Sequence, residues 1–483
     1  MKLVFIHGYS VVNLKTYGGL PEALARQASK FGLDLDIEHI FLGRYLSFHD
    51  AVTLEDIARA FHKALQAQLS DGNGGIEEFS CITHSTGGPV ARLWVDMFYG
   101  AKKLSESPMK HLIMLAPANH GSSLAQLGKG RLSRIKTWFQ GVEPGQEVLN
   151  WLELGSEGQW ELNHNFLDYK LENSTFYPFV LIGQTIDKKL YDHLNSYTGE
   201  RGTDGVIRVC GANLTYRSLT LKQGSTVLKT TRKRHPETLS LDFDEKHLRM
   251  SPKVPVGVIP KTSHGGNKMG IQKSVNEKNA DKKPVVAEIL KCLSVQSQSQ
   301  YKTRADELAA LTEHVQATDE NDRERYCMII FNVYDDQGAP VEDFDMLLLA
   351  GNQYSEDILP KGFFVDRQRN VIHPNRLVYY LNYDRMKNAR DQKMGMRIMA
   401  RPDKGFACYL KGEFRSDGMP LDWILNPNEV VYVNIELTRQ VDENLFMTDP
   451  VRIRSGRRGE FKPTRSGDFK RTPVSEKKLP PIA

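Results

Sequence analysis

Four short apolar runs constrain this chain more than any other feature: KLVFI at 2–6, EFSCITHS at 78–85, HLIMLAP at 111–117 and FYPFVLIGQ at 176–184. Runs so short and so continuously apolar suit strands buried on both faces. Between the first two lies VTLEDIARAFHKALQAQL, where Leu54, Ile57, Ala58, Phe61, Leu65 and Leu69 share one stripe at helical spacing. ARLWVDMFY, with Leu93, Trp94, Met97 and Phe98, follows the second run, and VVAEILKCL after Pro284 closes the pattern. Strands alternating with amphipathic helices predict an α/β fold, a mostly parallel sheet with helices on both faces, over residues 1–293.

The pattern then changes. SVQSQSQ at 294–300 is polar and of low complexity; with the helix ADELAALTEHV and the charged TDENDRER it predicts a linker region over 294–325. Beyond it, CMIIFNVYD, LVYYLNY, GMRIMA, FACYLKGEF and VVYVNIELT are separated by turn residues. In the last, Val431, Val433, Ile435 and Leu437 alternate with Tyr432, Asn434 and Glu436, as a half-buried strand would. A β-rich, sandwich-like domain is expected over 326–450, then a basic, solvated tail over 451–483.

With 40% hydrophobic and 25% charged residues the chain is of the globular class, and a net charge of +5 spread along it gives no reason to expect a nucleic-acid partner. Five scattered cysteines, Cys81, Cys210, Cys292, Cys327 and Cys408, show no metal spacing and predict no disulfide framework. The opening MKLVFIHGYS passes almost directly into a strand, so no signal peptide is expected and the chain is read as made in the cytoplasm. Its longest apolar runs are too short to span a bilayer. No cofactor is expected. Calcium is the one metal considered, because Asp335, Asp336, Asp343 and Asp345 cluster, although Asp-rich turns are common.

The chemistry centres on FSCITHSTGGP. Ser85 falls between a strand and a helix, on a turn that can project its hydroxyl from the sheet edge and aim a helix N-terminus at a developing anion. A serine there can also be a mere N-cap, and Thr83 stands where such elbows usually carry glycine. A serine nucleophile needs a base and a group to orient that base. Downstream, ERGTDGVIRV sets Asp204 in a Gly-flanked loop, and VGVIPKTSHGG sets His264 past a strand, giving the order Ser, acid, His. Asp187 is the rival acid; His193, His235 and His247 are the rival bases, and His84 is read as structural or as pocket lining. The backbone N–H groups of Thr86 and of Tyr9, in the loop FIHGYS, are the expected oxyanion donors.

VFIHGYS, THSTGGPVAR, LAPANHGSSLA and TDGVIRV, in that order, resemble the α/β-hydrolase fold and bacterial lipases in particular. The resemblance covers about residues 1–293 and implies Ser85, Asp204 and His264 as nucleophile, acid and base. Thr83 departs from the pattern, and so does the absence of an acidic residue just after His264, where several such lipases hold calcium. A hydrolase domain at the start with a β-rich C-terminal module is similar to antibacterial phospholipase effectors exported by the type VI secretion apparatus. That likeness implies a toxin acting on target-cell membranes, an immunity protein and a secretion carrier.

Between Ala125 and Asn173 lies an insertion with Trp138, Phe139, Val148, Leu149, Trp151, Leu152, Leu154 and Trp160, opened by Lys129, Arg131, Arg134 and Lys136. Bulky apolar residues beside basic ones suit a cap that meets anionic lipid; ordinary packing on the core is the other reading. The expected activity is a lipid carboxyl-ester hydrolase, first of phospholipid at a membrane surface, with a neutral lipase or esterase, an acyltransferase, or a non-catalytic binding protein as alternatives. Because every candidate catalytic residue precedes 294, the second half is expected to be a separate delivery or targeting module.

Overall fold

The computed structural model describes residues 1–7, 14–42, 51–130, 145–186, 200–230, 236–318, 323–389, 391–401 and 407–441, and the structural statements below concern these. The first sheet has six parallel strands in the order β2-β1-β3-β4-β5-β9, formed by β1 (Lys2–His7), β2 (Asp36–Phe41), β3 (Phe79–His84), β4 (Met109–Leu115), β5 (Tyr177–Ile182) and β9 (Val256–Val258). The expected runs form β1, β3, β4 and β5, and their central residues are fully buried. Helices flank this sheet in two pairs, Leu54–Gln68 with Gly87–Phe98 and Leu20–Gln27 with Pro284–Leu293. The hydrolase-like α/β layer therefore forms as its periodicity predicts.

The second sheet is larger and draws on both halves of the chain. It has ten strands, ordered β11-β14-β16-β7-β6-β17-β10-β13-β12 with β8 beside β6. β10 (Tyr326–Asp335), β11 (Phe344–Ala350), β12 (Phe364–Arg369), β13 (Arg376–Asn382), β14 (Met394–Ala400), β16 (Lys411–Arg415) and β17 (Val430–Leu437) come from the C-terminal half, where β15 (Ala407–Cys408) pairs separately with Gln440–Val441. β6 (Tyr216–Thr230), β7 (Pro236–Phe243) and β8 (Arg249–Met250) come from the first half, and β6 lies parallel to β17 with Tyr216 opposite Val430. A division at residue 293 thus does not coincide with the division between the sheets. The larger sheet curls until its ends meet: Tyr379 Oη donates to the Met346 carbonyl and Arg369 to that of Phe344.

Its central strands are buried on both faces. The period-2 alternation sends Cys327, Ile329, Phe331 and Val333 of β10 into a core inside the curl, while Tyr326, Met328 and Ile330 join the core of the α/β layer. Val378 and Tyr380 of β13 and Val430 and Tyr432 of β17 do the same. The half-buried strand expected at 430–437 is therefore covered on its second face too, at Tyr432, which is 1% exposed.

Residues 298–318 are a single helix, not a free linker. Tyr301, Leu308, Thr312 and Val315 are buried on it. Leu308 packs where Gly257 of β9 leaves no side chain, and Thr312 Oγ1 accepts from the Val258 N–H, 3.0 Å away. The helix thereby covers the edge of the parallel sheet, whose open N–H groups would otherwise invite pairing. Among the described residues no helix is long and apolar enough to cross a membrane.

Candidate active site

Ser85 stands at the turn between β3 and the helix Gly87–Phe98 with φ of +54°, in the left-handed region that side-chain-bearing residues seldom occupy. Its N–H donates to the Leu115 carbonyl at the end of β4, 3.0 Å away, which fixes the turn to the sheet. A Cβ on Gly88 would lie 2.6 Å from the Cβ of Pro117, so the helix approaches the next loop only because residue 88 is glycine. The departure at Thr83 is absorbed in the same manner: Thr83 is fully buried and its side chain lies over Gly87. The strained, clamped serine is the geometry that exposes a nucleophile above a sheet.

The chain brings Ser85, His264 and Asp204 together from three separate loops. Ser85 Oγ is 3.2 Å from His264 Nε2, and His264 Nδ1 is 2.9 Å from Asp204 Oδ2. With Nδ1–H donating to the carboxylate, Nε2 is free to accept the serine proton. Asp204 is fully buried and His264 is 3% exposed. The two carboxylate oxygens have separate partners: Oδ1 accepts the backbone N–H groups of Val206 (3.0 Å) and Ile207 (2.7 Å), leaving Oδ2 for the histidine. The His264 N–H in turn donates to the Asp204 carbonyl at 2.9 Å, joining the two loops directly.

Thr86 follows the nucleophile at the N-terminal end of its helix, where its backbone was expected to face an oxyanion; Tyr9 lies outside the described residues. Asp187, His193 and His235 also lie outside them, and His247 pairs with Asp244 in an exposed turn. His84 contacts the base loop: its Nε2–H donates to the His264 carbonyl at 3.1 Å, and the two rings are 4.7 Å apart. Burial, and then the neighbouring His264, hold the His84 pKa well below the usual histidine range, so the group stays neutral beside that ring. Its position next to Ser85 in sequence was the only signal of this.

Behind the site, a buried polar group joins the layers. Arg92, on the nucleophile helix, donates to the side-chain oxygens of Asn119 and Asn163, and Asn163 Nδ2 donates to Tyr432 Oη at 2.8 Å. Tyr432 Oη donates to His120 Nδ1 at 2.7 Å, and His120 Nε2–H donates to the Asn213 carbonyl at 2.8 Å. Burial is the chief cause that lowers the His120 pKa to about 3.

The described part of the insertion packs inward. Val148, Leu149, Trp151, Leu152, Leu154 and Trp160 are all buried, and Trp160 lies 5.1 Å from the Tyr432 ring with the Arg376 guanidinium over its face. Their burial is what packing on the core predicts for 145–173, and a cap that opens is compatible with it. Arg131, Arg134, Lys136, Trp138 and Phe139 lie outside the described residues. The acidic cluster has other employment: Asp335 Oδ1 accepts two backbone N–H groups of its turn, and Asp343 and Asp345 pair with Arg401.

The phospholipase PlaB from Legionella pneumophila, in complex with thio-NAD, is 39% identical over 94% of this chain and 98% of its own, with a TM-score of 0.83. A second structure of the phospholipase PlaB from Legionella pneumophila gives 40% identity over the same shares and a TM-score of 0.82. No family model matches the sequence, and no curated protein does.

Proposed function

This chain belongs to the family of the Legionella phospholipase PlaB, and from that premise we propose that it is a serine hydrolase cleaving the carboxyl esters of phospholipids through an acyl-enzyme on Ser85. The observation that carries the reading is the line of hydrogen bonds from Ser85 through His264 to buried Asp204 at the C-terminal edge of the parallel sheet. Ser85 Oγ attacks the acyl carbonyl as its proton passes to His264 Nε2. Asp204 supports the resulting imidazolium. The Thr86 N–H, with Tyr9 as second donor, stabilises the tetrahedral oxyanion. His264 returns the proton to the departing alcohol. Water, deprotonated by the same nitrogen, then releases the fatty acid and restores the serine.

The test is direct. A fluorophosphonate probe is expected to label the wild-type chain and not Ser85→Ala, and Ser85→Ala is expected to lose ester hydrolysis by several orders of magnitude. Labelling that persists in the variant refutes the assignment, and a wild-type chain that takes no label is a binding protein on a hydrolase fold. Product analysis with and without an acceptor alcohol separates hydrolysis from acyl transfer, and parallel assays on phospholipid and glyceride set the substrate class. Export by a type VI apparatus, with its carrier and immunity protein, has only the order of domains in its support. The relative shares that order over nearly its whole length, so it is a property of the family.

A further inference from the structure

The loop that carries Asp204 is held from outside the α/β layer. Its two arms are joined at the base by Arg208, whose Nε and Nη2 donate to the two carboxylate oxygens of Glu200 at 2.9 and 2.8 Å. Nη2 also donates to Asp366 Oδ2 on β12, and the guanidinium lies 4.2 Å over the ring of Tyr380 on β13. Tyr380 Oη donates to the Arg201 carbonyl at 2.7 Å, in the first arm. Gly202, with φ of +73°, sits against the stacked rings of Tyr326 and Tyr380, where a Cβ would come within 2.5 Å of both side chains. On the loop's other side, Ser122 Oγ donates to the Val206 carbonyl at 2.9 Å.

These contacts have a pattern. Arg208 is 3% exposed, and a buried guanidinium persists only where carboxylates and an aromatic face replace its water. Glu200 belongs to the loop itself, but Asp366, Tyr380 and Tyr326 belong to the curled sheet. Asp204 is four residues from Arg208, between the two arms, and its backbone N–H and carbonyl are both bonded within this frame, to Ile207 and His264. Among the described residues, the guanidinium's partners outside its own loop, Asp366, Tyr380 and Met328, all belong to the curled sheet.

We propose that the β-rich domain is part of the catalytic apparatus: Asp366 and Tyr380, acting through Arg208, are positioning residues that fix the Asp204 loop at the distance at which its carboxylate orients His264. The inference rests on the reading of Asp204 as the triad acid. A triad held by such a frame loses rate when the frame loosens, since a displacement of about 1 Å at a reacting group lowers turnover on the order of a hundredfold. Because the frame acts on the orientation of the base and not on substrate, KM on a short soluble ester is expected to stay where it was.

The experiment uses the full chain with Asp366→Asn, Tyr380→Phe, Arg208→Lys and Asp204→Asn, each alone, and Asp366→Asn combined with Asp204→Asn. Asp366→Asn is expected to lower kcat by about 10- to 100-fold with unchanged KM and to slow fluorophosphonate labelling equally. Tyr380→Phe keeps the ring and the packing and loses one hydrogen bond; it serves as the mild variant, with a loss of several-fold. In the Asp204→Asn background Asp366→Asn is expected to add nothing, the signature of two residues acting through one group. Full losses in both backgrounds, or wild-type kcat in Asp366→Asn and Tyr380→Phe, would overturn the proposal. An Asp204→Asn variant with wild-type activity would instead remove the triad reading beneath it, so the two failures are distinct.

Discussion

Replacing Asp204 by Asn separates two tasks that its carboxylate performs in this structure. Oδ1 accepts two backbone N–H groups that shape the loop, and Oδ2 accepts the His264 Nδ1–H. In Asn the first oxygen remains an acceptor, now uncharged, so each loop hydrogen bond weakens; a total cost of about 1–2 kcal/mol in stability follows. The second oxygen becomes an NH2 group, which can only donate. It drives His264 into the tautomer with its proton on Nε2, the nitrogen that must accept from Ser85 3.2 Å away. The rate is then expected to fall by about 10⁴-fold, roughly 5 kcal/mol of transition-state stabilisation, with KM little changed. Hydrolysis of a short soluble ester gives the rate, and thermal unfolding gives the stability. Asp204→Ala, which also strips the two N–H groups of their acceptor, should melt well below the Asn variant. An Asn variant retaining more than a tenth of wild-type activity would refute the division of labour, as would an Asn variant no more stable than the Ala one.

Tyr432→Phe is expected to cost about 1 kcal/mol in unfolding free energy, because it removes the hydroxyl that His120 Nδ1 and Asn163 Nδ2 share and leaves them their longer 3.3 Å contact with each other; urea melts measure it, and an unchanged midpoint would count against the buried network. His111, whose pKa burial lowers to about 4, and His120, lowered to about 3, are neutral in the fold but titrate near the ordinary value when unfolded. Between those values and pH 6.5 the unfolded chain binds more protons, so stability is expected to fall as pH falls from 6.5 toward 4, by up to about 1.4 kcal/mol per unit for each histidine. The slope should lessen in His120→Gln. A fragment of residues 1–293 exposes the surface now covered by Tyr326, Met328, Ile330, Val378, Tyr380, Val430 and Tyr432, and it strands β6 without β17. It is expected to aggregate or to lack esterase activity in sedimentation and rate assays; a soluble, fully active fragment would refute the account of the shared core.

Four strands of the α/β layer, β1, β3, β4 and β5, were legible because each is a self-contained apolar run, and the helices at 54–68, 87–98 and 284–293 because each carries its own stripe; β2, DIEHIF, is polar and β9 is three residues long, so neither has such a signal. The elbow was legible because Ser85 and the glycines after it are contiguous. Asp204 and His264 could be ranked because glycine-flanked loops after apolar strands are local features. What the sequence does not carry is partnership. The alternation in SLTLKQ and TLSLDF marks strands, but nothing local says that β6 joins a strand from the other end of the chain. Tyr432 reads as the outward residue of a half-buried strand until a second layer is laid on it. The helix at 298–318 was legible over ADELAALTEHV, but the polar residues among Tyr301, Leu308, Thr312 and Val315 hide that this face packs on the sheet. Arg208 is a single basic residue in a turn, and only its burial among Glu200, Asp366 and Tyr380 gives it meaning.

The pairing of β6 with β17 also has a consequence in time. Synthesis delivers Ser85, Asp204 and His264 long before Val430, yet β6 has no neighbour on one side, and the apolar face of the first layer has no cover, until that last strand arrives. Contacts between segments so distant in sequence form late and slowly. On the roles proposed above, the emerging chain carries its reactive groups before the frame that aligns them, and catalytic competence is expected only near the end of its own assembly.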